Sequence, residues 1–160
     1  MKTRKSWREK LVKENERKVV DDPRGRGRML VPRPADIDAT IRLIEKGKLA
    51  TLEQVGKRLA RDYGADLTCP LCAGISWRIA AKVAEEDISA GVKDVTPCWR
   101  VVKSDGGLNE KFPGGPEAQA ARLIKEGHAI EPSKGRKPPK VKNFQKVLQE
   151  LENLEVNVKC

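Results

Sequence analysis

Cys98 is the residue whose setting in the sequence best suits nucleophilic chemistry. It follows Pro97 and precedes Trp99-Arg100-Val101-Val102, a short run that predicts a strand or extended segment. A proline before it and bulky residues after it would hold the thiol on a stiff backbone, as a nucleophile that meets its substrate at a fixed place requires. The alternative is that Cys98 is a small buried hydrophobic residue, since free cysteines are among the most often buried residue types.

A second pair of cysteines, Cys69 and Cys72, has Cys-x-x-Cys spacing. This spacing suits half of a zinc site, a redox pair, or two reduced cysteines at the start of a helix. A tetrahedral zinc site would need two more ligands from Cys98, His128 and Cys160, and the use of Cys98 would remove the predicted nucleophile. We therefore expect two reduced cysteines, no metal site and no cofactor.

The composition favours a polyanionic partner. The 160 residues include 33 Lys and Arg against 23 Asp and Glu, a formal net charge of +10, and nucleic acid is the commonest partner of so basic a chain. No apolar run approaches the roughly 20 residues needed to cross a bilayer. No apolar stretch follows the charged N-terminus, so we expect a cytoplasmic protein without a membrane contact.

Hydrophobic periodicity and capping residues predict four helices in the middle of the chain. Thr51 is a capping residue for the second of them, and Gly47 ends the first. The predicted helices run from Asp36 or Asp38 to Gly47, over residues 52–61, from between residues 68 and 76 to about residue 87, and over residues 116–125.

The second and third of these helices, with the turn between them, are typical of a helix-turn-helix. On the third helix, the pattern predicts a buried face made of Ile75, Ile79, Val83 and Ala84. It predicts a solvent face made of Ser76, Arg78 and Lys82. Two strands flanking the Asp105-Gly106-Gly107 turn are predicted to form a hairpin-like wing.

The predicted fold class is mainly α with a small β wing, a winged helix-turn-helix domain with basic arms at both ends. Residues 1–34 form the first arm, which is partly helical and contains a flexible basic strip over residues 23–28. Residues 35–131 form the domain. Residues 132–160 form a basic linker and a closing amphipathic helix, whose apolar residues are Phe144, Val147, Leu148, Leu151 and Leu154.

The order of these pieces resembles the C-terminal winged-helix domain of the alkylguanine-DNA alkyltransferases, also called methylated-DNA–protein cysteine methyltransferases. The resemblance covers roughly residues 36–130. It rests on Gly47-Lys48, residues 51–87, Pro97-Cys98-Trp99-Arg100-Val101, Gly114-Gly115 and Glu126-Gly127-His128. It implies a monomer that binds the minor groove of double-stranded DNA, flips out an alkylated nucleotide and transfers the alkyl group to a cysteine in a single turnover.

The resemblance also implies roles for individual residues. Arg78 would take the space left by the flipped nucleotide, and Cys98 would accept the alkyl group from the 6-oxygen of guanine. Phe112 keeps an aromatic ring where the family stacks one on the base, and Glu126 matches a glutamate that acts behind the family's histidine. The predicted DNA-binding set is Ser76, Arg78, Lys82, Phe112, Gly114 and Gly115.

Two departures from the family pattern leave the chemistry open. Trp99 stands where the family has the histidine that generates the thiolate, and an indole N–H can only donate a hydrogen bond. Leu52 stands where the family has a tyrosine that crowds the target phosphate. The sequence is therefore compatible with an alkyl acceptor, with a non-enzymatic alkyltransferase-like sensor of damaged DNA, and with a general DNA-binding regulator that prefers a base sequence in undamaged duplex.

Overall fold

Helices and short strands alternate through the part of the chain that the structure describes, residues 6–12, 17–133 and 135–152 of a computed structural model. The helices are α1 Trp7–Val12, α2 Pro34–Ile41, α3 Leu52–Asp62, α4 Pro70–Ser89 and α5 Pro116–Lys125. The strands are β1 Lys18–Asp21, β2 Arg28–Val31, β3 Ala50–Thr51, β4 Leu67–Thr68, β5 Val101–Val102, β6 Ile130–Glu131 and β7 Lys140–Val141. The fold is thus a mixture of helices and small sheets, in agreement with the predicted helical fold that carries minor β structure.

Helix α4 lies at the centre of the fold, with α1, α2 and α3 packed against it. Trp77 anchors its buried side and is only 2% exposed. Ala73, Ala80 and Ala84 share that side, since they lie four, three and seven residues from Trp77. Their small side chains let neighbouring helices approach closely.

The predicted start of α3 is confirmed. Thr51 Oγ1 accepts the backbone N–H of Gln54 at 3.1 Å, and Gln54 Oε1 accepts the backbone N–H of Thr51 at 2.8 Å. This reciprocal pair is a capping box, which satisfies two backbone donors at the helix start.

The start of α2 differs from the prediction, because Arg33 is the N-cap and Asp36 lies one turn inside the helix. The Asp36 carboxylate accepts the backbone N–H of Arg33 and binds the guanidinium groups of Arg17 and Arg33 at 2.9 and 3.0 Å. Burial alone would raise the pKa of Asp36, but the two arginines more than offset burial and hold it well below its ordinary value. The cluster joins the N-terminal segment to α2.

The flexible basic strip predicted over residues 23–28 is instead the turn of a β-hairpin. Strands β1 and β2 pair antiparallel, and β2 pairs parallel with β4 at the start of α4. In the turn, the Asp22 carboxylate accepts the backbone N–H groups of Arg24 and Arg26 and also binds the Arg26 side chain at 2.6 Å. A local carboxylate thus orders a segment that its composition predicts to be flexible.

The predicted hairpin wing is wrong in its strand pairing. The turn itself is present, since the Lys103 N–H donates to the Gly107 carbonyl at 2.9 Å. Strand β5, which precedes the turn, pairs in parallel with β3, and the backbone after the turn pairs with the segment around Lys140. Both partners lie far away in the sequence, so no local signal indicates them.

The predicted closing helix is also wrong within the described residues. Phe144–Val147 forms one 3₁₀ turn, and the chain then extends along Leu49. The Leu49 N–H donates to the Val147 carbonyl at 2.9 Å, and the Gln149 N–H donates to the Leu49 carbonyl at 2.7 Å. Leu151 is buried, as an apolar contact of the predicted helix would be. Leu154 lies outside the described residues.

Candidate nucleic-acid interface

Cys98 lies in the hydrophobic core and is 0% exposed. It begins a 3₁₀ turn, Cys98–Arg100, that leads into β5, so the extended segment starts at Val101, two residues later than the predicted start at Trp99. Burial raises the pKa of the Cys98 thiol well above its ordinary value, the Asp38 carboxylate adds to the rise, and Arg42 opposes it. Since the thiolate is the nucleophilic form, both the burial and the raised pKa disfavour nucleophilic chemistry at Cys98.

Trp77 and Phe112 occupy the space beside Cys98. The Trp77 indole Nε1 donates to the Cys98 carbonyl at 3.2 Å, and the two aromatic rings pack with their centroids 6.2 Å apart. Phe112 is 5% exposed, so the ring that the resemblance assigns to a flipped base contacts the protein's own tryptophan. Within the described structure, the Cys98 thiol is closed to a base, since no part of Cys98 is exposed.

Glu126 is engaged by an arginine. The Arg100 guanidinium binds its carboxylate at 2.7 Å and also donates to the Ile44 carbonyl at 2.7 Å. Burial would raise the pKa of Glu126, but the Arg100 guanidinium more than offsets burial, so the pKa lies below its ordinary value. The predicted catalytic pair, Cys98 and Glu126, is therefore a buried thiol and a neutralised carboxylate, and no described contact joins the two.

Two buried polar atoms lie beside this ion pair. His128 Nε2 makes no hydrogen bond with any described residue, and Trp99 Nε1 lies outside normal hydrogen-bond geometry although Trp99 helps to lower the pKa of Glu126. Burial lowers the pKa of His128, Glu126 opposes this and Arg100 adds to it. The Trp99 ring lies against two guanidinium groups, those of Arg100 and Arg122, at 5.6 and 5.3 Å from the ring centroid. The tryptophan that replaces the family's histidine thus packs between arginines and supplies no base.

A groove of about 520 Å³ runs along the exposed side of α4. Leu71, Ile75 and Arg78 follow one another along its wall at spacings of four and three residues. Leu71 is 73% exposed and Ile75 is 54% exposed. Trp77 also lines the groove, and its indole N–H binds the Cys98 carbonyl, so this tryptophan contacts both. An exposed apolar row that ends in a cation is unusual for a helix that faces only water.

Cations border this groove from other elements. Lys10 of α1 and Lys103 and Lys111 of the segment between β5 and α5 line it together with a single carboxylate, Glu110. Arg78 makes no hydrogen bond or ion pair with any residue that the structure describes. The groove is consequently both apolar and positively charged.

The assignment of α4 residues to a buried face and a solvent face is correct for some residues and wrong for others. Ile79, Val83 and Ala84 are buried and Arg78 is exposed, as predicted, and Lys82 is half-buried. Ile75 is exposed, whereas Ser76 is 3% exposed and cannot contact DNA directly in this conformation. The prediction left Trp77 out of the buried face, and a buried ring of that size turns Ser76 inward and Ile75 outward.

The sequence-based prediction missed Leu71, Ile75, Lys10, Lys103 and Lys111 as groove residues. The exposed apolar pair could have been found by centring the buried face of α4 on Trp77, which leaves Leu71 and Ile75 on the opposite side. The lysines come from two distant segments, and only the tertiary fold brings them to α4.

Gly114 and Gly115, predicted to contact DNA, form the turn that starts α5. Their φ angles are +88° and +86°, which favour glycine. A side chain at Gly114 would also approach Ala118 Cβ to 2.8 Å. These two glycines have a structural reason to be present, and neither lines the groove.

The Cys69-Cys72 pair lies at the start of α4. Cys69 is the N-cap, and its Sγ accepts the backbone N–H of Cys72 at 3.3 Å. Both thiols are free and half-buried, and burial together with Cys69 raises the pKa of Cys72 to about 11. Within residues 6–12, 17–133 and 135–152, no group of three His, Cys, Asp or Glu is arranged to hold a metal ion.

Comparison of the chain with protein-family models, curated proteins and solved structures gives no match. None of the helices in the described ranges has the length and apolar character needed to cross a membrane.

Proposed function

We propose that this protein binds double-stranded DNA in the minor groove through the exposed side of α4, and that it does so without transferring an alkyl group to Cys98. The observation that carries the proposal is the row of Leu71, Ile75 and Arg78 along a groove bordered by lysines.

The chemistry of this row supports a minor-groove contact. Proteins that bind the minor groove insert apolar wedges between base steps and place arginines in the groove. Leu71 and Ile75 provide two exposed apolar side chains on one helix face, and Arg78 follows them without a described partner to hold it elsewhere. The order of elements, which resembles that of the alkylguanine-DNA alkyltransferases, supports the same use of the second helix of the motif.

The charge around the row supports phosphate contacts. Lys10, Lys103 and Lys111 come from two sides of the groove, where they can neutralise backbone phosphates that flank an inserted helix. The formal charge of +10 adds long-range attraction to a polyanion.

The setting of Cys98 favours a binding module over an alkyl acceptor. Cys98 is 0% exposed, the pKa of its thiol is raised, and it does not line the groove. An alkyl acceptor needs an accessible thiolate next to the substrate.

Fluorescence anisotropy with a labelled duplex tests the binding interface. Arg78→Ala should weaken binding by about tenfold, because it removes the arginine that we propose enters the minor groove of the DNA. Lys125→Ala removes an exposed cation that does not line the groove, and it should leave the affinity nearly unchanged. Equal losses in the two variants would show that only net charge matters and would contradict the proposed interface.

Intact-mass measurement tests the absence of alkyl transfer. After incubation with duplex containing 6-O-methylguanine, the mass of the protein should be unchanged. A gain of one methyl group that Cys98→Ser abolishes would establish the alkyl acceptor instead. A preference for a base sequence in undamaged duplex, without preference for the lesion, would indicate the general DNA-binding regulator.

A further inference from the structure

Cys69 and Cys72 are held close together by the start of α4. The N-cap position of Cys69 and the bond between its Sγ and the Cys72 N–H place both sulfurs at the same end of the helix. Residues three apart in an α-helix have Cα atoms about 5 Å apart, as the rise and radius of the helix require. This lies within the roughly 4.4–6.8 Å that a disulfide spans, so the pair can be bridged with little backbone movement.

The two sulfurs are also within reach of small molecules. Both residues are half-buried, and the side chains between them, Pro70 and Leu71, are exposed. Cys98, in contrast, is sealed in the core. An oxidant in solution would therefore find the pair at the helix start and not the buried cysteine.

We propose that Cys69 and Cys72 form a reversible thiol–disulfide pair, oxidised by low-molecular-weight disulfides such as oxidised glutathione. Cys69, as the thiolate, attacks one sulfur of the oxidant to form a mixed disulfide and releases one thiol. Cys72 then loses its proton to solvent and attacks Cys69 Sγ, which releases the second thiol. The protein loses two hydrogens and the oxidant gains them, so the reaction balances.

The order of attack follows from the structure. Cys69 is the N-cap outside the helix and Cys72 lies within its first turn, where burial and the neighbouring Cys69 raise its pKa, so we assign Cys72 as the resolving thiol. Disulfides inside cells are usually transient and redox-sensing, and a pair of this kind suits that use.

The disulfide would close a ring around Pro70 and Leu71, which both line the DNA-facing groove. This consequence rests on the proposed function. The ring would fix the first turn of α4 and change the position of Leu71. The affinities of the oxidised and reduced proteins for duplex should therefore differ by about threefold or more.

Thiol counting in glutathione buffers tests the pair itself. The Cys160→Ser protein is equilibrated with oxidised and reduced glutathione at several ratios, trapped with an alkylating reagent and weighed intact. Two thiols should be lost together, so the trapped protein should carry two fewer alkyl groups than the fully reduced protein, and dithiothreitol should restore both thiols. Peptide mapping should place the bridge between Cys69 and Cys72.

The matched variant is Cys72→Ser, which keeps Cys69 and removes the resolving thiol. It should instead accumulate one glutathione on Cys69. If the Cys160→Ser protein also stops at the mixed disulfide, or keeps both thiols at every ratio, or binds one zinc ion through them, the redox pair is wrong.

Anisotropy on the two redox forms separates the two proposals. Equal affinities of the oxidised and reduced forms would overturn the effect on the groove. If neither form binds duplex, the proposed function fails, and the thiol count still decides whether the redox pair exists.

Discussion

Around Cys98, single side chains decide what the thiol can do. The motif of Pro97, Cys98 and the residues after it predicts a thiol on a stiff backbone ahead of an extended run, and the structure places Cys98 at the start of a 3₁₀ turn. The burial of that thiol could not be predicted, because it depends on Trp77, which lies 21 residues earlier in the chain. Likewise, nothing local to Glu126 indicates that Arg100 neutralises it.

His128 should make the stability of the protein depend on pH near neutrality. Burial lowers its pKa in the folded state, so the unfolded state binds the proton first as the pH falls. The contribution of neutral His128 to the free energy of unfolding is complete above the ordinary pKa of about 6.5. It is lost as the pH falls through that value towards the lower pKa of the folded state. Urea denaturation of the wild type should therefore give a free energy of unfolding that decreases between about pH 7 and pH 5.

His128→Gln is the matched variant, since the chain contains no other histidine. Its free energy of unfolding should be flatter over the same range. A wild-type stability that rises on acidification through this range would contradict a lowered pKa.

At the level of elements, local signals predicted helices well and strand partners poorly. The bounds of α5 match the prediction, and α3 begins at the predicted cap, because caps, prolines and glycines act within a few residues. The apolar spacing of Phe144, Val147 and Leu151 also fits a helix. That segment is extended beyond its single 3₁₀ turn because its backbone pairs with Leu49, about a hundred residues earlier.

Gln149 should be important for stability because it joins the C-terminal segment to the connection after α2. Its side chain accepts the Glu45 N–H and donates to the Leu43 carbonyl, both at 2.8 Å. Gln149→Ala leaves both backbone groups without these partners and should lower the free energy of unfolding by about 1–3 kcal/mol. Urea denaturation measures the change.

Gln145→Ala provides the control, since Gln145 is an exposed amide in the same segment. It should change stability by less than about 0.5 kcal/mol. A Gln149→Ala protein as stable as this control would show that the segment contributes little to the fold.

Over the whole molecule, the described cations differ in whether a carboxylate pairs with them. In the N-terminal hairpin, Arg26 is paired with Asp22 and Arg28 with Asp21. In the C-terminal segment, Arg136, Lys137 and Lys140 have no ion pair with any residue in the described ranges. The sequence predicts basic arms at both ends, and among the described residues the C-terminal one has more cations without an ion pair.

The salt dependence of DNA binding should report the lysines of the groove. The logarithm of the affinity should fall linearly with the logarithm of the salt concentration, and Lys103→Ala with Lys111→Ala should reduce the slope by about two. Anisotropy titrations at several salt concentrations measure it.

Lys46→Ala with Lys125→Ala removes the same charge from exposed positions that do not line the groove. This pair should lower the slope far less. Identical slopes in the two double variants would place the phosphate contacts elsewhere on the surface.

The pairing of residues 147–151 with the middle of the chain also bears on how a newly made chain reaches its native state. Leu43, Glu45, Leu49 and Arg58 receive backbone or side-chain partners from Val147, Gln149 and Leu151, so these contacts cannot form until the ribosome has synthesised the intervening helices α3, α4 and α5. Closing so long a loop is entropically slow. The docking of this segment should therefore follow the assembly of the helices around α4.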